Sequence, residues 1–152
     1  MDTQTLRMCE DIPQGKIEVD GSNYYVKHEG KLHCETGPAQ ITYYKAGEGA
    51  YKGYGDVVLY QYFSNGIIHR ANGPAVIYMG DNGIIIRVAY WINGIRHRVD
   101  GAAVLQRLSD GSYSSEWWLN GTKYTKEEFE KRVNVPQEQT ATEISNYSAI
   151  TF

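Results

Sequence analysis

Three histidines, His33, His69 and His97, occupy the same place in successive copies of a repeated sequence. An imidazole can act as a general acid or base or as a metal ligand, so these residues are the first candidates for chemistry. A metal ion needs nitrogens that converge on one point, whereas residues in one register of successive repeats lie in a row. We therefore expect each imidazole to hold the backbone of the turn that follows it. Catalysis by His69 and His97 in a shared groove is the alternative.

Arginine is the next candidate, because Arg70 and Arg98 directly follow two of the histidines while Cys34 takes that place after the first. We expect these arginines to pair with nearby carboxylates. In the alternative, Arg87, Arg96 and Arg98 form a small basic patch for a carboxylate or a phosphate. No Ser-His-Asp set, phosphate-binding glycine loop or cysteine cluster with metal-ligand spacing is recognisable in the sequence. The sequence therefore predicts no catalytic residue, no cofactor and no metal.

These residues are positioned by a repeat that is clearest at residues 65–75, which read Asn-Gly-Ile-Ile-His-Arg-Ala-Asn-Gly-Pro-Ala. Degraded copies lie at residues 29–39 and 93–103, and a fourth copy, residues 120–124, breaks off with a tyrosine in place of the histidine. Because Asn-Gly and Gly-Pro are turn signals, one unit is a strand, a glycine turn, a short strand, a Gly-Pro turn and a final strand. The structural repeat positions are His33, Gly37, Pro38, His69, Gly73, Pro74, His97 and Gly101.

A unit of about 28 residues cannot bury its own apolar face, so neighbouring units must stack to build a core. The sequence thus predicts an all-β fold of tandem antiparallel β-hairpin or meander repeats, about three and a half units long, over residues 16–133. Thr125 and Glu128 have the capping-box spacing, and Phe129 follows them, so a short C-terminal helix should cap the array. Residues 1–15 form a lead-in, and residues 134–152 form a tail that either docks as a strand or stays mobile.

Two features of the sequence could provide a binding surface. A pair of aromatic residues recurs before the Asn-Gly turns, and alternation along a strand would send one of each pair to the core and the other outward. An exposed row would bind a partner, unless both faces are covered. A glycine- and tyrosine-rich insertion at residues 45–56 could also bind, unless it is only a loop. The candidate binding residues are Tyr51, Tyr54, Tyr60, Tyr62, Tyr90, Trp91, Trp117, Arg96 and Arg98.

Composition limits the class of partner. The 152 residues fit one domain, and 13 tyrosines with 16 glycines favour short strands joined by tight turns. A net charge of −3 does not favour nucleic acid as a partner. Two cysteines and no basic-plus-apolar leader indicate a reducing cytosol. No apolar run approaches the roughly 20 residues of a membrane span.

Residues 91–101, Trp-Ile-Asn-Gly-Ile-Arg-His-Arg-Val-Asp-Gly, resemble a tandem repeat of the pattern Trp-Tyr-x-Asn-Gly-x-x-His-Arg-x-Asp-Gly-Pro-Ala. That repeat occurs in proteins of tailed bacteriophages and giant DNA viruses and is distantly similar to MORN hairpin repeats. The resemblance covers roughly residues 19–133. The chain departs from the pattern at Cys34, at Ala102 in place of proline, and in the insertion at residues 45–56.

The resemblance implies a viral, non-catalytic accessory protein and supplies no catalytic residue. We therefore expect a bacteriophage protein in the host cytoplasm that binds and inhibits a host protein, a defence component being one candidate. The alternatives are a sponge or a hydrolase for a small signalling nucleotide, and a structural component of the virion. Association of the chain with itself is left open.

Overall fold

The computed structural model describes residues 16–46 and 54–133, and over these residues the fold is all-β with one short helix at the C-terminal end. In chain order the strands are β1 (Lys16–Asp20), β2 (Asn23–His28), β3 (Lys31–Leu32), β4 (Gln40–Tyr44), β5 (Val57–Gln61), β6 (Phe63–Ser64), β7 (Ile67–Ile68), β8 (Val76–Gly80), β9 (Ile85–Ala89), β10 (Trp91–Ile92), β11 (Ile95–Arg96), β12 (Val104–Arg107), β13 (Tyr113–Leu119) and β14 (Thr122–Tyr124). The helix, α1, spans Lys126–Val133.

The long strands form one antiparallel sheet in the described part of the chain, in the order β1-β2-β4-β5-β8-β9-β12-β13-β14, with β3 beside β2. The short pairs β6-β7 and β10-β11 are separate two-stranded hairpins. A unit therefore contributes two long strands to the sheet and places one short hairpin next to it. The predicted antiparallel hairpin meander with a short terminal helix is confirmed.

One apolar residue from each of six strands (β2, β4, β5, β8, β9 and β12) joins a single row across the sheet, because the register places these residues directly opposite one another. The row consists of Tyr24, Ile41, Tyr60, Ile77, Val88 and Leu105. All six side chains are buried and belong to the largest core cluster. Opposed large apolar side chains are the unit of sheet stabilisation, so this row ties the repeats together.

Each short hairpin turns through two residues in the left-handed conformation. Asn65, Asn93 and Asn120 have φ angles of 51°, 49° and 49°, and the glycines that follow them have φ angles of 83°, 78° and 79°. Two consecutive positive φ angles define the type I′ turn, for which Asn-Gly is a preferred pair. In the first hairpin Glu29 has a φ angle of 49° at the same position. The Asn-Gly turn signals are therefore confirmed.

Strand β5 ends at Gln61 and β6 begins at Phe63, so the extended chain is interrupted at Tyr62; the equivalent break in the next unit is at Tyr90, between β9 and β10. At these positions the chain leaves the large sheet and enters a short hairpin. Their N–H groups donate to the carbonyls of Ala75 and Ala103, both over 2.8 Å. Both alanines are 0% exposed, so a larger side chain at either position would have to displace its neighbours.

The C-terminal end of the array is closed by α1. The Thr125 hydroxyl accepts the N–H of Glu128 over 3.2 Å, and the Glu128 carboxylate accepts the N–H of Thr125 over 3.0 Å. This is the predicted capping box. Phe129 is 0% exposed, with its ring centre 4.9 Å from that of Trp117.

The predictions for residues 1–15, for residues 134–152 and for Tyr51 lie outside the described residues. Across the two described ranges, the structure has no helix whose length and apolar character would let it cross a membrane.

Candidate functional site

The three histidines join neighbouring units through their side chains. Nδ1 of His69 accepts the backbone N–H of Asn93, the first turn residue of the next unit, over 3.0 Å. A ring nitrogen that accepts a hydrogen bond carries no hydrogen, so this bond uses the tautomer that has its hydrogen at Nε2. The corresponding pairs are His33 with Asn65 at 3.1 Å and His97 with Asn120 at 3.0 Å.

Two backbone hydrogen bonds accompany each histidine. Next to His69, the carbonyl of Ile68 accepts the N–H of Gly94 over 2.8 Å, and the N–H of Arg70 donates to the carbonyl of Trp91 over 3.1 Å. The equivalent bonds join Leu32 to Gly66, Cys34 to Phe63, Arg96 to Gly121 and Arg98 to Trp118. One interface is therefore used three times along the row of hairpins.

The predicted partner of the histidines is wrong. The sequence predicts that each ring holds the Gly-Pro bend of its own unit, whereas each ring holds the Asn-Gly turn of the following unit. The reason is that the short hairpins stack side by side, which places the next turn opposite the ring. The histidines therefore have a structural role, as predicted, but they hold a different turn from the predicted one.

Replacing His69 with leucine is expected to lower the free energy of unfolding by about 0.5 to 1.5 kcal/mol, because the Asn93 N–H loses its acceptor. His69→Asn is the matched control, since its Oδ1 can occupy the position of Nδ1 and accept the same N–H. Urea denaturation measures both variants. Equal losses in the two would contradict the role of the hydrogen bond.

Arg98 is held inside its own unit. Its Cζ lies 4.1 Å from the centre of the Tyr90 ring, and its guanidinium donates to Asp100 Oδ1 over 2.7 Å and to the carbonyl of Ala102 over 3.1 Å. Only 7% of the residue is exposed. The predicted pairing with a local carboxylate is confirmed here, and this guanidinium is not offered to solvent as part of a basic patch.

Arg70 repeats the arrangement, with Cζ 3.8 Å from the centre of the Tyr62 ring and a hydrogen bond of 3.3 Å to the carbonyl of Pro74. The guanidinium also explains why glycine occurs three residues after the arginine in both units, because it packs against the Cα of that residue. A Cβ at Gly101 would lie 3.0 Å from Arg98 Cζ, closer than ordinary contact. The Arg-x-x-Gly-Pro segment is therefore a packing unit.

The first unit replaces both members of this pair. Val26 stands where the second and third units have tyrosine, Cys34 stands where they have arginine, and the two are buried in one small cluster with Ala39. An apolar pair thus substitutes for an aromatic ring and a guanidinium. The departure of Cys34 from the repeat pattern is explained by this exchange.

The predicted exposed row of aromatic residues is wrong at four positions. Tyr60, Tyr62, Tyr90 and Trp117 are all buried. The opposite face of the sheet is covered too, because Ile68 and Trp91 of the short hairpins and Trp118 of β13 pack against it. The alternative that both faces are covered is therefore correct, and the cover comes from the chain itself.

Trp91 and Arg96 lie in a half-buried polar cluster at the last two hairpins. Arg96 Cζ is 5.0 Å from the ring centres of both Trp91 and Trp118, and its Nη1 is 3.7 Å from Glu116 Oε2. Glu116 also accepts hydrogen bonds from Lys123 at 2.8 Å and from the Trp118 indole at 3.0 Å. The Lys123 hydrogen bond holds the pKa of the Glu116 carboxyl below its ordinary value. Arg96 is thus stacked and ion-paired within the chain.

The tips of the four stacked hairpins form an exposed strip, which we call the hairpin ridge (residues 29–31, 65–67, 93–95 and 120–122). Ile67 and Ile95 follow the Asn-Gly pairs of adjacent units and are 52% and 47% exposed. Each isoleucine lies over the glycine of the next turn, since a Cβ at Gly94 would be 3.2 Å from Ile67 Cγ2. The ridge therefore presents two aligned apolar side chains to solvent.

A cleft of about 440 Å³ opens at the end of the sheet away from the hairpins. Tyr54, Asp81, Arg107 and Ser109 are among the residues that line it. The Tyr54 hydroxyl donates to the carbonyl of Arg107 over 3.3 Å, which fixes the end of the insertion against β12. Of the two tyrosines predicted to bind from the insertion, Tyr54 borders this cleft.

The sequence interpretation missed Ile67, Ile95 and the charged residues of the cleft. A signal for the isoleucines was present, because an apolar residue directly after a tight turn lies at the tip of its hairpin, where few other residues can cover it. The sequence gives no signal that assigns Asp81 or Arg107 to a site. The cleft depends on how one turn meets the end of another strand.

Within residues 16–46 and 54–133, no three His, Cys, Asp or Glu side chains are grouped so that they could hold a metal ion. Comparison with known proteins gives no match to a protein-family model, to a curated protein or to a solved structure. The geometry of this chain is therefore the basis for any functional proposal.

Proposed function

We propose that this chain is a non-catalytic accessory protein of a bacteriophage that binds a bacterial host protein and inhibits it, using the hairpin ridge as its contact surface. The observation that carries the proposal is the exposure of Ile67 and Ile95 at the same position of adjacent units. The resemblance of the repeat to phage sequences supports the proposed bacteriophage origin of the chain.

Two exposed isoleucines at equivalent positions of adjacent units differ from the isolated apolar residues that are common on protein surfaces. Isoleucine is among the residue types most often buried, and exposed apolar groups that adjoin one another are typical of interaction surfaces. The polar atoms around them belong to hairpin tips fixed by type I′ turns and by bonds to neighbouring units. A rigid surface loses little conformational entropy on binding.

The contacts of the histidine and arginine side chains, which are the groups most suited to catalysis, favour a binding function over an enzymatic one. Nδ1 of His69 and Nδ1 of His97 each accept a backbone N–H of the next unit, and the Arg98 guanidinium is buried under its own hydrogen bonds. A general base needs a free nitrogen within reach of a substrate proton. These groups are engaged in holding the units together.

The double variant Ile67→Lys/Ile95→Lys is expected to weaken capture of a saturable partner from bacterial lysate by about thirtyfold or more, since loss of a central apolar contact typically costs about 2 kcal/mol. The matched control is Val99→Lys/Leu108→Lys, because these two exposed apolar residues lie outside the ridge. Retained folding of both variants is checked by thermal melting. Equal weakening by the control, or no saturable partner for the native chain, would count against the proposal.

A second candidate function is sequestration of a small nucleotide in the cleft beside Tyr54. Arg107 can pair with a phosphate, Asp81 can accept hydrogen bonds from a base, and Tyr54 offers an aromatic ring. The cleft volume of about 440 Å³ lies within the ordinary range of ligand pockets.

Thermal-shift measurements with a panel of linear and cyclic nucleotides test this second function. A ligand at 100 times its dissociation constant is expected to stabilise the fold by about 2.7 kcal/mol and to raise the melting temperature accordingly. Arg107→Met should abolish the shift, while Arg87→Met on the neighbouring strand should retain it. No shift with any nucleotide would remove this candidate and leave the ridge proposal untouched.

A further inference from the structure

The three histidine hydrogen bonds between units share one chemical requirement. In each of them Nδ1 accepts a backbone N–H of the next unit, over 3.1 Å at His33 and over 3.0 Å at His69 and His97. Uptake of a proton places a hydrogen on both ring nitrogens, so Nδ1 becomes a donor. Two donors then face each other, and the hydrogen bond is lost.

Protonation of the rings therefore acts on the contacts between neighbouring hairpins. At His69 the ring holds the turn of the third hairpin, and that turn also supplies the Gly94 N–H that donates to the carbonyl of Ile68. The N–H of Arg70 completes the contact by donating to the carbonyl of Trp91. A charged ring that repels the turn weakens the backbone bonds beside it.

The carboxylates near the rings differ between the units. Nε2 of His33 lies 3.9 Å from the exposed carboxylate of Glu35, and the centre of the His28 ring is 5.8 Å from that of His33. At the position of Glu35 the next two units have alanine and valine. In the described ranges no carboxylate lies within ion-pair distance of His69 or His97. A protonated ring at these two positions gains no counter-charge from the chain.

The cations near the rings are engaged elsewhere. The guanidinium groups of Arg70 and Arg98, which directly follow two of the histidines, lie over tyrosine rings of their own units. Arg96 and Lys123 belong to the hairpins that follow the second and third histidines, and both are paired with Glu116. The Asn-Gly turns that face the rings are uncharged. The hydrogen bond to Nδ1 is therefore the main interaction that protonation changes.

We propose that the row of histidines is a pH-sensitive device that holds the units together at neutral pH and loosens the contacts between them in mild acid. The unfolded chain protonates all three rings freely, whereas the folded chain must give up hydrogen bonds to do so. The unfolded state therefore binds more protons, and the free energy of unfolding falls as the pH falls. Histidine is the side chain that changes charge between about pH 5 and 8. The device lies in the fold and does not depend on what the ridge binds.

The carboxyl groups whose pKa is lowered by folding respond at lower pH. A hydrogen bond from Lys123 lowers the pKa of Glu116, and the N–H of Thr125 lowers the pKa of Glu128, in both cases from an ordinary value of 4.5. Stability from such groups is fully present above the ordinary value and is lost as the pH falls below it. A comparison between about pH 8 and about pH 5.5 therefore reports on histidine.

Urea denaturation at these two pH values tests the proposal on the full chain and on the triple variant His33→Asn/His69→Asn/His97→Asn. The asparagine oxygen can accept the same N–H and does not titrate. Acidification is expected to raise the unfolding equilibrium constant of the native chain by at least about tenfold, since two or three hydrogen bonds are lost together. The variant should change by less than about threefold. An equal change in both chains would overturn the proposal.

Amide hydrogen exchange of the native chain, followed by NMR, gives a second test that needs no variant. After correction for intrinsic rates, protection of the Asn93 and Asn120 amides is expected to fall by about tenfold between the higher and the lower pH. The Tyr62 amide is the internal control, because it donates to the carbonyl of Ala75 within its own unit and should keep its protection. Unchanged protection at Asn93 and Asn120, or an equal loss at Tyr62, would also overturn the proposal.

Discussion

Truncating Phe129 to alanine is expected to lower the free energy of unfolding by about 3 to 5 kcal/mol. The ring is 0% exposed and packs against Trp117 at the end of the main core. The helix that carries it has eight residues, too few to persist in water without tertiary packing. The cavity and the loss of the helix therefore act together.

Urea denaturation followed by circular dichroism measures this loss, and Val133→Ala provides the matched control. Val133 lies four residues further along the same helix and is only partly buried against the same core. Its truncation should cost clearly less. Equal costs would mean that the helix does not anchor the array through Phe129.

Replacing Arg98 with cysteine is expected to lower the free energy of unfolding by about 2 to 4 kcal/mol, since hydrogen bonds to a charged group and stacking on Tyr90 are lost together. The buried carbonyl of Ala102 is then left without its donor. The first unit suggests a compensating change, because it pairs Cys34 with Val26. The double variant Tyr90→Val/Arg98→Cys copies that pair.

The double variant should lose less than the sum of the two single variants, with a coupling energy of about 0.5 to 3 kcal/mol. Tyr90→Val alone leaves the guanidinium buried without its ring, and Arg98→Cys alone leaves the ring without its cover. A double-mutant cycle in urea measures the coupling. Strictly additive losses would contradict the view that the tyrosine and the arginine are exchanged as a unit.

The local features of the fold were predictable from the sequence. Asn-Gly at residues 65–66 and 93–94 requires positive φ angles that few other pairs adopt, and the capping-box spacing of Thr125 and Glu128 acts within one helical turn. These signals depend on residues a few positions apart. They fixed the all-β class, the hairpin units and the terminal helix.

Contacts between units were not predictable in the same way. The acceptor role of His69 toward Asn93 depends on how one hairpin is placed beside the next, and no pattern within one unit specifies that placement. The aromatic pairs misled the interpretation because strict alternation ends at Tyr62 and Tyr90, where the chain leaves the sheet. Exposure of Ile67 follows from the same stacking.

The histidine hydrogen bonds between units also determine how cooperatively the chain unfolds. Each of these bonds joins one unit only to the unit that follows it, so the free energy of unfolding contains a separate contribution from each pair of neighbouring units. The hairpins at Asn65 and Asn93 each take part in two of these histidine hydrogen bonds, whereas the hairpin at Glu29 takes part only in the bond from Asn65 to His33 and is paired on its other side with β1. Partial unfolding is therefore expected to proceed one unit at a time.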